Sequence, residues 1–278
     1  MVFKTVRLNL FLRLFFNRIE MCLTNPGNGA IMKQYRAKLL MISGAAAIYL
    51  LAAVSALADV ERVYGKAVNA GGDLVFLEEH IVRYENDRIA ALKTTYYDAD
   101  LKKIGEQSSD FSHGPQFGSY DFKDERLRYT DGARVMSNQI LIYCKESPQA
   151  DIRKKYLKRE SNQVVGQGFH QFILANLNAL MQGDVITAKL VLPAHMDQFD
   201  IRILKNKIED GRLQIRIELN NWFLRLFTPS VEAEYDLDTR RLISYRGFSL
   251  IADGSGKNLP VTVFYDYSQQ SPLVSTRF

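Results

Sequence analysis

The stretch FDIRILKNKIEDGRLQIRIELN, residues 199–220, decides the fold class. Apolar residues take every second position at Phe199, Ile201 and Ile203, and they do so again from Leu213 to Leu219. Alternation with a period of two is typical of a strand that buries one face. Asp210-Gly211 separates the two runs and suits a two-residue turn. The stretch therefore predicts an antiparallel hairpin.

The same alternation continues through the carboxy-terminal half, in residues 186–192, 231–235, 242–249 and 261–267. The amino-terminal half is less regular, because residues 74–84 fit a helical stripe as well as a strand. We predict a strand there, since Glu85-Asn86-Asp87 then turns the chain into residues 89–97, which are rich in β-branched and aromatic side chains. The sequence thus predicts a succession of antiparallel strands.

One helix is predicted over residues 169–181, where Phe169, Phe172, Ile173, Leu177 and Leu180 share a face. Gly183-Asp184 ends it, and a short helical turn is predicted at residues 222–227, before Pro229. We therefore predict a mainly β (α+β) fold, a curved antiparallel meander sheet or half-barrel packed against one principal helix.

Residues 32–58 have the order of a secretory signal peptide. A cationic start with Lys33, Arg36 and Lys38 precedes a charge-free apolar segment, and Ala56-Leu57-Ala58 offers the small side chains that signal peptidase needs. We predict cleavage after Ala58 and a periplasmic location. The alternative is an inner-membrane anchor formed by residues 39–58, a length that can span a bilayer.

Residues 1–31 precede this leader and are explained either by a start codon assigned too far upstream or by a real N-terminal extension. Residues 59–278 are then a single β-rich domain. The whole chain carries a net charge of +5, but residues 1–58 hold seven of the 36 Lys and Arg residues and one of the 31 acidic residues. The remaining 29 basic and 30 acidic residues give −1. A nucleic-acid partner is therefore not expected.

Cys144 is the one cysteine that follows the leader, so the predicted mature domain has no internal disulfide. Alternation around it predicts a buried small side chain within a strand.

Catalytic and metal motifs are weak in this chain. Its histidines lack the spacing of a zinc site, and no Gly-x-Ser-x-Gly elbow is present. Glu78 and His80 would share one face of a strand and could bind a metal or move a proton, but exposed polar neighbours are the commoner explanation. Residues 254–257, GSGK, are better explained as a hairpin loop than as a phosphate loop. We predict no catalytic residue, no metal and no cofactor.

Aromatic residues crowd the last quarter of the chain. They could simply fill a core that has no disulfide. The rival hypothesis is an apolar cleft for an acyl chain or a partner peptide. Its predicted ligand-binding residues are Trp222, Phe223, Phe227 and Tyr245.

Residues 235–267, YDLDTRRLISYRGFSLIADGSGKNLPVTVFYDY, resemble the closing strands of uncharacterised secreted bacterial proteins. The preceding NNWFLRLFTPSVEAEYD, residues 220–236, is similar to the segment that leads into those strands. The resemblance implies a cell-envelope protein of unknown function. The predicted architecture also resembles the half-open barrels of lipoprotein carriers, which hold acyl chains, and this implies an architecture but no site residue.

These observations favour a noncatalytic periplasmic protein that binds an apolar ligand, such as a lipid or acyl chain, between its sheet and its helix. It would meet the membrane only transiently, or through an uncleaved leader. One alternative is a module that interacts with or scaffolds another envelope protein through exposed strand edges. A third hypothesis is an enzyme with an unfamiliar site around Glu78 and His80.

Overall fold

The computed structural model describes residues 59–226 and 228–268. The predictions made for residues 1–58, including the leader and its cleavage site, lie outside this part of the chain.

The described residues form one 15-stranded sheet with two short α-helices and two 3-10 helices. The first eight strands are β1 (Asp59–Val68), β2 (Leu74–Glu85), β3 (Arg88–Tyr97), β4 (Lys103–Asp110), β5 (Ser119–Asp124), β6 (Tyr129–Val135), β7 (Gln139–Lys145) and β8 (Arg153–Lys158). The others are β9 (Gln163–Val165), β10 (Ile186–Leu192), β11 (Asp197–Glu209), β12 (Arg212–Leu219), β13 (Val231–Asp236), β14 (Leu242–Ala252) and β15 (Asn258–Asp266). The helices are α1 (Gly168–Ala175) and α2 (Leu177–Gln182), and the 3-10 helices are Pro193–His195 and Leu224–Leu226.

The sheet consists of two meanders joined at its centre. Strands β8 to β1 follow one another in reverse chain order, β15 pairs antiparallel with β1, and β14 to β10 continue from there. β9 closes the order as a parallel neighbour of β10. The predicted antiparallel meander is confirmed, and it extends through the amino-terminal half as well.

The two edges of the sheet are brought near each other. The Gln163 Nε2 atom on β9 donates to the carbonyl of Lys158 at the end of β8, at 2.8 Å. Lys155 on β8 lies 3.0 Å from the carboxylate of Asp197 on β11. The loop after β4 also forms an isolated bridge between Phe117 and Val165. These contacts connect the two edge regions, so the sheet is curved, as predicted for a half-barrel.

The hairpin turns that the sequence predicted are present. Asp210 and Gly211 have φ angles of 50° and 72°, and Asn86 and Asp87 have 52° and 59°. These left-handed values suit a two-residue turn, which Asn, Asp and Gly adopt more readily than other residues. The ambiguous segment at residues 74–84 is β2, so its prediction as a strand is confirmed.

The predicted helix is present but is broken in two. Asn176 has φ −106° and ψ 9°, outside the helical region, and its side-chain amide donates to the Phe172 carbonyl at 2.8 Å. A side chain that bonds the preceding turn competes with the regular backbone hydrogen bonds, and this explains the break. The chain leaves α2 at Gly183, whose φ of 98° is left-handed, as the predicted helix end requires.

Two apolar clusters hold the concave side together. One lies under the helices, where Ile173, Leu177 and Leu180 pack with Ile203 and Ile215 of β11 and β12. The other lies under β1–β7 and β15 and includes Phe76, Tyr96, Phe122, Ile140 and Ile142. Burial of such side chains is the main stabilising term in a domain whose one described cysteine forms no disulfide.

Cys144 is buried on β7, as its alternating neighbours predicted. None of the helices in the described residues combines the length and the hydropathy needed to cross a bilayer.

Gly168, the first residue of α1, permits the closest approach between this helix and the loop after β4. A Cβ atom at this position would lie 2.4 Å from the backbone oxygen of Gln116. That oxygen accepts the Val165 N–H at 3.0 Å, so it is held in place by the β9 contact. Alanine cannot be accommodated unless the helix or the loop moves.

We expect Gly168→Ala to lower the free energy of unfolding by about 1–3 kcal/mol, because overpacking against a fixed backbone forces a shift. Urea unfolding followed by circular dichroism measures this. Gly254→Ala is the matched control, since nothing lies within 4 Å of a Cβ there, and its effect should stay within about 0.5 kcal/mol. Equal stability of the two variants would contradict the close approach.

Candidate functional site

The concave side of the sheet encloses a cavity of about 420 Å³. Its walls come from β1–β4, β14 and β15, and it is covered by the start of α1 and by β10. Most lining side chains are apolar or aromatic. Representative lining residues are Val63, Phe76, Val82, Leu92, Phe169, Leu190, Tyr245, Phe248, Val261 and Val263.

The two-residue period of the strands places these side chains. On β2, every second residue from Phe76 to Tyr84 lines the cavity, and on β15 Val261, Val263 and Tyr265 do the same. Successive side chains of a strand point to opposite faces, so these residues share the concave face. Glu78 and His80 belong to this series on β2 and therefore lie among apolar neighbours.

A hydrogen-bonded network begins at these two residues. The His80 Nε2 atom lies 2.9 Å from the Glu78 carboxylate, and the His80 Nδ1 atom lies 2.9 Å from the Thr94 hydroxyl. The Gln167 amide donates to the same hydroxyl at 2.7 Å. Charged and polar groups are costly to bury unless they are paired, and the network supplies that pairing.

The network continues from Gln167 toward β4. Ser109 donates its hydroxyl hydrogen to the Gln167 side-chain carbonyl at 2.7 Å, and Gln107 approaches Ser109 with its amide at 3.5 Å. In this chain of contacts the side-chain oxygens of Thr94, Gln167 and Ser109 each accept a hydrogen bond. The Gln107 Oε1 atom is the exception: it is buried and has no hydrogen-bond partner among the described residues.

Gly65 on β1 makes room for the Glu78 carboxylate. The two residues are cross-strand neighbours, and a Cβ atom on Gly65 would lie 2.7 Å from Glu78 Oε2. Tyr265 flanks Gly65 from the other side, in register on β15. The glycine therefore forms a gap between two large side chains, and the carboxylate occupies it.

The Glu78 charge affects the tyrosines around it. Burial and the nearby Glu78 raise the pKa of Tyr245 to about 12, and the same two causes, burial being the larger, raise the pKa values of Tyr96 and Tyr265 well above the usual range. A negative charge in this part of the cavity is thus disfavoured by low solvation and by the existing carboxylate.

His170 of α1 lies on the covering side of the cavity. Its ring stacks on Tyr235 with centroids 5.7 Å apart, and its Nδ1 atom lies 3.1 Å from the Tyr235 hydroxyl. Burial, with a smaller contribution from His80, lowers the pKa of His170 to about 4. The ring is therefore neutral near physiological pH.

A second buried acid, Asp131 on β6, lies outside the cavity lining. Burial raises its pKa to about 6, although hydrogen bonds from Tyr129 and Tyr120 oppose the shift. Tyr129 donates to it at 2.8 Å. In register across the sheet, Asp131 faces Phe122, which faces Gln107, so one apolar residue separates Asp131 from the polar network.

The structure separates the four predicted ligand-binding residues. Tyr245 lines the cavity. Trp222 and Phe223 do not: they are 69% and 53% exposed and pack edge-to-face with each other, with centroids 5.9 Å apart. Phe227 lies outside the described residues. A ligand-binding role for Trp222, Phe223 and Phe227 therefore stays a prediction.

Glu78 and His80 share a face, as the spacing indicated, and they contact each other. Sequence reasoning missed the rest of the network. Gln107 and Ser109 are detectable as polar residues with the period of a strand, but Gln167 has no signal in the sequence beyond the two glycines beside it. No local pattern could show that these three side chains meet.

The Thr94, His80 and Glu78 contacts have the connectivity of a nucleophile, a base and an orienting acid. Thr94 is fully buried and is not among the residues that line the cavity. A ligand in the cavity would therefore not reach its hydroxyl.

Other motifs have structural explanations. Residues 254–257 form the loop between β14 and β15, as expected for a hairpin. Asp236 caps the following turn by accepting from the Thr239 backbone at 2.7 Å. Within the described ranges, no group of three or more His, Cys, Asp or Glu residues could hold a metal ion. A polar surface depression at the β11–β12 turn contains Arg212 and Glu234, which pair with each other at 3.7 Å.

The pKa of His170 predicts a pH dependence of stability. The folded-state pKa of about 4 lies below the ordinary value of 6.5, so the unfolded chain binds the proton more readily. Stability from this group is complete above about pH 6.5 and is lost as the pH falls through about 4. The raised pKa of Asp131 changes stability in the opposite direction over part of this pH range. The contribution of His170 is therefore measured by comparing the wild type with a variant.

The free energy of unfolding of the wild type should fall between neutral pH and about pH 4. In His170→Gln this fall should be smaller, by at most about 3 kcal/mol. Glutamine retains a partner for the Tyr235 hydroxyl and does not titrate. The exposed His113→Gln is the control, and it should leave the pH profile as it is. Identical profiles for the wild type and His170→Gln would show that His170 is not the group that titrates.

Comparisons with known proteins identify no family for this chain. No family model matches it, and no curated protein matches it. Among solved structures, the chain is similar to a β-barrel-like protein of the domain of unknown function DUF1849 from Brucella abortus. The two share 7% sequence identity, with a TM-score of 0.36, over 77% of this chain and 99% of the other.

Proposed function

We propose that this protein binds an apolar molecule, such as a lipid or an acyl chain, in the cavity between its sheet and α1. The proposal rests on the cavity itself. It has a volume of about 420 Å³ and lies between the apolar side chains of β2 and β15 and the helix that covers them. Small-molecule sites in proteins measure about 300–1,000 Å³ and are mostly apolar with a few placed polar groups.

The alternating strands support this proposal because they leave apolar surface open on the concave face. Protein interiors are normally packed without voids larger than a water molecule. Here Val63, Val82 and Val263 line the cavity, and larger side chains at these positions would reduce its volume. Entry of an apolar molecule would remove that surface from water and would need no cofactor.

The length of the cavity also suits a chain-like ligand. Its lining on β2 extends from Phe76 to Tyr84, and a strand rises about 3.3 Å per residue, which gives roughly 26 Å. An extended hydrocarbon chain could lie along such a wall. We take the binding to be noncatalytic, because the hydroxyl nearest to His80 is buried behind the lining.

We expect the neutral fluorescent hydrocarbon diphenylhexatriene to bind the wild type and to become fluorescent in the cavity. Val63→Phe should weaken this binding about tenfold or more, because a ring at this 7% exposed lining position takes up the space of the ligand. Val60→Phe on the same strand is the matched control, since Val60 is 48% exposed and does not line the cavity.

Fluorescence titration of the three proteins gives the affinities. If the wild type did not bind the probe, or if the two variants weakened binding equally, the cavity would not be the binding site.

The exposed Trp222 and Phe223 favour a second candidate function, a module that interacts with another envelope protein. Large exposed aromatic residues side by side are typical of interaction surfaces. The probe titration separates the two candidates, because a protein-interaction module needs no occupied cavity.

We also propose that the protein is exported and acts in the periplasm. The order of charge, apolar segment and small residues in positions 32–58 supports export. When the full chain is expressed in a Gram-negative bacterium, intact mass spectrometry of the periplasmic fraction should give a mass that begins at Asp59. A chain that keeps residues 32–58 and sediments with the inner membrane would instead favour the anchored alternative.

A further inference from the structure

We infer that the ligand of the cavity carries a hydrogen-bond-donating polar group without negative charge, as in a long-chain alcohol or amine. This inference rests on the proposed function and specifies its ligand class. It follows from which polar atoms border the apolar space and from which of them lack partners.

The cavity lining includes the carboxylates Glu61 and Glu78, and no lysine or arginine is among the described residues that line it. Arg241 borders the lining and is already engaged: it contacts Glu61 at 3.2 Å and lies over the Tyr267 ring at 4.5 Å. A carboxylate or phosphate ligand would therefore enter a poorly solvated space beside two carboxylates, with no lysine or arginine among the described lining residues to pair with it.

An unpaired acceptor supplies the second observation. Gln107 is 2% exposed and lines the cavity, and its Oε1 atom has no partner among the described residues. Buried acceptors that lack a partner cost free energy, and a donor on the ligand would recover it. Its Nε2 atom is directed to Ser109, so the amide presents the oxygen and not the nitrogen as the unused group.

The polar groups form a band across the middle of the cavity. Glu78 and His80 lie at the centre of β2, and Gln167, which immediately precedes α1, and His170 of α1 line the same cavity. Apolar residues lie on both sides of the band: Phe76 and Val261 toward one end, and Val82 and Leu92 toward the other. The band therefore selects a polar group attached to an apolar chain, and a pure hydrocarbon leaves the Gln107 acceptor unpaired.

The experiment displaces bound diphenylhexatriene with hexadecanol, hexadecylamine and palmitate, each below the concentration at which micelles form. These probes have equal chain lengths and differ in the polar group. We expect the alcohol and the amine to compete about tenfold or more better than palmitate near neutral pH, a factor that corresponds to about 1.4 kcal/mol.

Two variants test the residues. Glu78→Gln should reduce the difference between hexadecylamine and palmitate in their ability to displace the probe. The substitution removes the carboxylate charge and keeps a hydrogen-bond partner for His80. Glu79→Gln is its matched control, since Glu79 is the next residue on β2, points to the opposite face and pairs with Arg62 at 2.7 Å. Gln107→Leu should weaken competition by hexadecanol more than it changes the binding of diphenylhexatriene.

The outcomes separate this inference from the proposed function. If diphenylhexatriene binds and palmitate competes as well as hexadecanol, the inference is overturned while the proposed function stands. If diphenylhexatriene and all three amphiphiles fail to bind, both are overturned. Should Glu78→Gln fail to fold, the ranking of the three probes on the wild type still decides the ligand class.

Discussion

The pairing of β1 with β15 is the constraint on which the rest of the structure depends. It joins residues 59–68 to residues 258–266, nearly the full length of the described chain apart. On either side of this pair the sheet is a meander of neighbours in sequence, which forms through local hairpins. Without the central pair, two separate half-sheets would each expose an apolar face.

Curvature then decides what the single sheet can enclose. A 15-stranded sheet is wider than most open sheets, and twisted sheets of this size curl. In the half that contains β10–β13, α1 and α2 fill the concave side with Ile173, Leu177 and Leu180. Near β1, β2 and β15 the sheet is covered by the start of α1 and by β10, and the space that remains is the cavity.

The polar network gives this space its chemical character. A buried Glu78 and His80 are destabilising on an apolar face unless Thr94 and Gln167 complete their hydrogen bonds. Gly65 supplies the room for the carboxylate, and Gln167 lies between Gly166 and Gly168, which pack closely against Tyr120 and Gln116. A core that served stability alone would be simpler with apolar residues at these positions, and this supports the proposal that the network takes part in ligand recognition.

The sequence by itself determined the strands, their turns and the fold class, because alternation at Ile201–Ile203 and left-handed turn residues such as Asp210-Gly211 act over a few residues. It also determined that Glu78 and His80 share a face and that Cys144 is a buried strand residue. Only the tertiary structure decided that β1 joins β15, that Asn176 breaks the helix, and that Tyr245 borders a cavity while Trp222 is exposed. An alternating apolar pattern indicates which face of a strand is buried. It does not indicate what packs against that face, so the pattern is the same for a filled core and for an open cavity.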